Sequence, residues 1–101
     1  MNNKYILEGK NPVPCDDLMT WGNWFETANR RVDSTEHGDI RVSTVFLGLD
    51  HSFGEGKPIL FETMIFGGEH DQYQERCSTW EEAEAMHKAA CEKAYEQTKS
   101  V

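Results

Sequence analysis

The sequence predicts one α+β domain over residues 1–101. Its expected architecture is an antiparallel sheet of three to four strands with an N-terminal and a C-terminal helix packed on it, in α-β-β-β-α order. Three observations carry this. Ile40 to Gly68 (IRVSTVFLGLDHSFGEGKPILFETMIFGG) holds two apolar, β-favouring runs. Their connection is too short for a crossover helix, so they pair antiparallel. Amphipathic stretches at helical spacing stand on either side of this unit.

Tyr5-Ile6-Leu7 reads as a short edge strand that Gly9 and Pro12 end, and Pro14 delays any helix until Asp16. Asp16 or Asp17 can cap a helix over 16–29, because a carboxylate accepts the free amide protons of a first turn. Leu18, Trp21, Phe25 and Ala28 then fall on one face, with Trp24 beside them and Gly22 weakening the helix. Arg31 and Val32 suit a short arm before the turn residues of DSTEHGD.

Of the two organising runs, the first alternates Ile40, Val42, Thr44 and Phe46 against Val45, Leu47 and Leu49. The second alternates Ile59, Phe61, Thr63 and Ile65 against Leu60, Glu62, Met64 and Phe66. Both sides are largely apolar, which predicts central strands covered on two faces. Tyr73 to Cys77 reads as a third strand. Thr79 with Glu82 forms a capping box, and Trp80, Ala83, His87, Ala90 and Ala94 repeat at helical spacing, predicting a helix from 80 to about 97.

Charge narrows the function classes. Eighteen acidic residues against ten basic leave a net charge of −8, a field that repels phosphate backbones. Nucleic-acid binding is not expected, and basic partner surfaces are favoured. Cys15, Cys77 and Cys91 are odd in number and widely spaced, with no C-x-x-C, as in a chain kept in a reducing cytoplasm. No run approaches the ~20 apolar residues of a membrane span, so no membrane association is expected.

Several residues are candidates for chemistry. Glu62 sits in the middle of an apolar strand, and a buried carboxylate needs a cation, a hydrogen-bond network or a solvent opening. Arg30, Arg31 and Arg41 are candidate partners. Glu62 reads either as an edge-facing or salt-bridged glutamate, or as a general base or ligand-orienting group in a pocket with Trp21, Trp24 and His87. His87 reads as a satisfied core histidine, or as a general base beside Cys77 or Cys91. Asp50-His51 and Glu69-His70-Asp71 have metal-ligand chemistry but not the spacing that holds an ion, and lie at opposite ends of the hairpin. Neither a metal nor a cofactor is expected. Gly54-Glu55-Gly56-Lys57 lacks the spacing and following helix of a phosphate-binding loop.

Four strings, WGNWFETANRRV, VSTVFLGLDHSFG, PILFETMIFGG and STWEEAEAMH, resemble a family of small uncharacterised proteins encoded by tailed phages and prophages. The resemblance runs from about Pro12 to His87 and implies expression in the cytoplasm of a bacterial host. It also implies an accessory role. With the acidic surface, this favours a non-enzymatic binding protein, a homodimer or larger, whose partner is a host defence or nucleic-acid-processing protein. The alternative is a small-ligand or nucleotide binder or enzyme with a pocket around Glu62 and the aromatic helix. It transfers no catalytic residue. The helix–strands–helix order is similar to that of double-stranded-RNA-binding domains, but Glu81 and Glu82 stand where lysines would be needed.

Overall fold

A computed structural model describes residues 3–54 and 56–95. The chain begins with a hairpin of β1 (Tyr5–Glu8) and β2 (Asn11–Pro14), in which Tyr5 pairs with Pro14 and Leu7 with Pro12. The expected strand is present and ends at Gly9; the correction is at Pro12, which lies inside a second strand instead of a break. Gly9 turns the chain at φ 63°, and the prolines continue it as an edge strand, where a missing N–H is tolerated.

Helix α1 (Leu18–Thr27) is shorter than the expected 16–29. Asp17 caps it, accepting from the Thr20 amide at 3.3 Å and from the Thr20 hydroxyl. The expectation that α1 packs on the sheet is also corrected. No residue of α1 is buried, and Leu18 and Met19 are exposed. Its aromatics dock instead on β1 and the end of the sheet. Trp21 Nε1 donates to the carbonyls of Tyr5 and Gly48, each at 3.1 Å, and Trp24 meets Phe46 edge-on at 5.8 Å. Ten residues with three large rings near one end can plug a corner of the domain but cannot roof a sheet.

The main sheet contains β3 (Arg31–His37), β4 (Ile40–Phe46), β5 (Phe61–Phe66) and β6 (Gln74–Cys77), all antiparallel in the order β3-β4-β5-β6. Strand β3 is a full arm rather than the short one expected, with a bulge between Arg31 and Asp33. Strand β5 starts at Phe61, two residues later than its apolar run. Ile59 belongs to the preceding loop, where its amide, like that of Ser52, donates to Asp50 Oδ1 at 2.9 and 2.8 Å. The full order is thus β-β-α-β-β-β-β-α.

Helix α2 (Trp80–Tyr95) carries the predicted capping box. The Glu82 amide donates to Thr79 Oγ1 at 3.1 Å, and the Glu82 carboxylate accepts from the amides of Ser78 and Thr79. Its expected extension to 97 lies outside the described residues. The helix packs across one face of the sheet, burying Ala83, Met86, His87, Ala90 and Ala94. The small alanines let its axis approach the strands closely. Two apolar clusters result. One is Val42, Ile65, Ala90 and Ala94, and the other is Phe46, Leu60, Phe61 and Ala83.

The second face of the sheet departs from expectation. Val45, Met64 and Phe66 alternate with fully buried neighbours, yet they are half-buried or exposed. Helix α1 borders only the Val45 end of this face, across a groove, so no helix covers the strands on this side. No described helix is long and apolar enough to cross a membrane.

Candidate binding surface and the buried histidine

The strand register sorts the open face into three rows. Glu36, Arg41 and Phe66 form one, and Ser34, Ser43, Met64 and Gln74 the next. Arg31, Val45, Glu62 and Arg76 form the third. The chain has four arginines. Three stand in these rows, and the fourth, Arg30, lies at the rim, its guanidinium 3.9 Å from the Phe25 ring centre and donating to the Phe46 carbonyl at 3.1 Å. A groove of about 290 Å³ between Phe25, Arg30, Arg31 and Val45 borders the face there. Arg41 lies over the Phe66 ring at 4.5 Å, holding an aromatic flat on the surface.

Glu62 finds its cation on this face, but not among Arg30, Arg31 and Arg41. Its carboxylate accepts from Arg76 Nε at 3.0 Å and from the Gln74 amide, both one strand away on β6. Arg76 is far enough into solvent that the pair contributes little to stability.

His87 lies on the opposite face, beneath α2. Its Nδ1 is 2.7 Å from Thr44 Oγ1, which is 2.5 Å from Thr63 Oγ1, and its Nε2 is 2.9 Å from Thr35 Oγ1. The ring and three hydroxyls form a polar seam across β5, β4 and β3 that divides the two apolar clusters. A neutral imidazole satisfies it, one nitrogen donating and the other accepting. Burial pushes the His87 pKa down, against a smaller upward pull from Asp33, whose Oδ2 lies 3.6 Å from Nε2.

Cys77 and Cys91 lack the depressed pKa that marks a thiolate nucleophile. Burial and the Glu82 charge push Cys77 up to about 11, and burial raises Cys91. Both shifts run opposite to the lowered pKa of catalytic thiols.

The four predicted ligand-binding residues do not converge. Glu62 is on the open face, His87 under α2, Trp21 against β1 and Trp24 against Phe46. A separate cleft of about 240 Å³ lies between Tyr5, Pro12, Lys57, Leu60 and Ser78, where no sequence motif pointed. Among the described residues, no group of three or more His, Cys, Asp or Glu side chains could hold a metal ion. The open face left one sequence signal: Arg41 and Glu62 stand at outward positions of strands whose inward positions are apolar or threonine.

Comparison with protein-family models, curated proteins and solved structures gives no match to this chain.

Proposed function

We propose that this chain is a non-enzymatic binding protein of phage or prophage type, acting on a host protein in the bacterial cytoplasm. The observation that supports this most is the segregation of charge. The arginines gather on or beside one sheet face, so the remaining surface is dominated by carboxylates, including Glu81, Glu82, Glu84 and Glu92 along the exposed side of α2. Such a surface steers toward basic protein patches, the kind that nucleic-acid-handling and defence enzymes expose.

The test is recovery of a host protein by the tagged chain at low and high salt, followed by binding measurements with that protein purified. One partner, bound more weakly as salt rises and weakened by Glu81→Gln with Glu84→Gln, supports the reading. Recovery of no partner, or binding indifferent to salt and to both substitutions, overturns it.

A further inference from the structure

We propose that the open face of the four-stranded sheet is the seat of a second copy of this chain, making a face-to-face homodimer. The face displays three arginines, Val45, Met64 and Phe66 beside two glutamates, Glu36 and Glu62, and two serines, and no described lysine stands in its three rows. Arginine, methionine and aromatic residues without lysine are the types that protein–protein interfaces favour; the glutamates, which interfaces otherwise deplete, stand here as partners for the arginines.

The face also complements itself. Arg31 and Glu36 stand at opposite ends of β3, on either side of the row through Ser34 and Met64. A two-fold axis along that middle row lays each strand antiparallel over its own copy, as in an aligned sheet sandwich. This places Arg31 of one protomer over Glu36 of the other, twice. It also brings Arg41 toward the opposing Glu62 and the Phe66 ring toward the opposing Arg76. A nucleic-acid strand is a poorer occupant, because Glu36 and Glu62 interrupt the arginines where a phosphate backbone would run.

Size sets the strength. Four strands about 4.8 Å apart and about six residues long give a footprint of roughly 400 Å² per protomer, against about 800 Å² in a standard stable interface. The dimer is therefore reversible and concentration-dependent, further opposed by the net charge of −8 on each copy.

The test is molar mass by light scattering across a concentration series, in moderate salt to screen the net charge. Wild type rises from 11.6 kDa toward twice that value. Arg31→Glu and Glu36→Arg each set like charges opposite one another and weaken self-association about tenfold or more. Both residues are exposed, so the fold survives either change.

The double variant R31E/E36R recovers the dimer. So does an equimolar mixture of the two single variants, since each then offers the charges the other needs. Within one chain the two positions lie at opposite ends of a strand, so rescue in the mixture cannot come from repair of the monomer. A wild-type chain that stays monomeric throughout overturns the proposal. So does a dimer that neither single substitution weakens, or one that the mixture fails to restore. None of these outcomes depends on whether a host partner binds the acidic surface.

Discussion

His87 Nδ1 and Thr44 Oγ1 lie 2.7 Å apart at the centre of the molecule, joining the C-terminal helix to the sheet by a buried polar contact. Thr44 also contacts Thr63, so it is the middle member of a chain in which each group partners the next. Thr44→Val conserves shape but leaves a ring nitrogen and the Thr63 hydroxyl without this partner. We expect a loss of about 1–3 kcal/mol, the cost of stranding buried polar groups. The paired change Thr44→Val with Thr63→Val strands one group fewer, so its cost should fall short of the sum of the singles. Urea unfolding of the three variants measures this.

The same histidine sets a pH dependence. Burial lowers its pKa in the folded state, so the unfolded chain takes up a proton first as pH falls from the ordinary value of 6.5. Stability from this source is complete above that value and declines on acidification until the folded-state pKa is reached. Denaturant midpoints should drop between about pH 7 and pH 5, and His87→Gln should flatten that slope while lowering stability at pH 7. A wild-type slope unchanged by the substitution would refute the assignment.

Gly67 is held by backbone on both counts that matter. Its φ is 91°, and a Cβ there would come 2.3 Å from the Asp39 carbonyl oxygen. Gly67→Ala must distort the start of the β5–β6 connection, where it passes the Asp39 backbone just before β4, at about 2 kcal/mol or more. Gly22→Ala is the control: no atom crowds that position, and alanine favours a helix by about 1 kcal/mol. Thermal melting should move in opposite directions for the two.

Glu62→Gln should barely change stability. Its partner Arg76 is substantially solvated, and exposed ion pairs contribute at most about 1 kcal/mol. A large loss in chemical denaturation would mean that the carboxylate has a structural role beyond this pair.

The parts of the fold legible in the sequence were those where local chemistry and long-range packing agree. Thr79 and Glu82 announce the start of α2 because the capping box is complete within four residues. The antiparallel pairing of β4 and β5 follows from the short connection. The hairpin strand at Asn11–Pro14 was hidden because its two prolines argue against a strand everywhere except at an edge. Val45, Met64 and Phe66 read as core because alternation records polarity, not whether a helix is long enough to cover them.

The site followed the same rule. His87 was placed toward the sheet by helical spacing, but its threonine partners come from three strands and required the register. Thr44 and Thr63 could have been noticed as the polar members of the inward-facing sets, with Val42 and Phe46 on one strand and Phe61 and Ile65 on the other. Glu62 was recognised as needing a cation. The one it uses lies on β6, whose alignment no short-range pattern fixes.

The separation of arginine from lysine also has a practical side. Amine-directed dyes, tethers and crosslinkers react with ε-amino groups, and none of the described lysines stands in the rows of the open face. Dicarbonyl reagents that modify guanidinium groups would attack that face or its rim alone. One small chain thus offers two orthogonal chemical handles, one that leaves the arginine surface unmodified and one that blocks it.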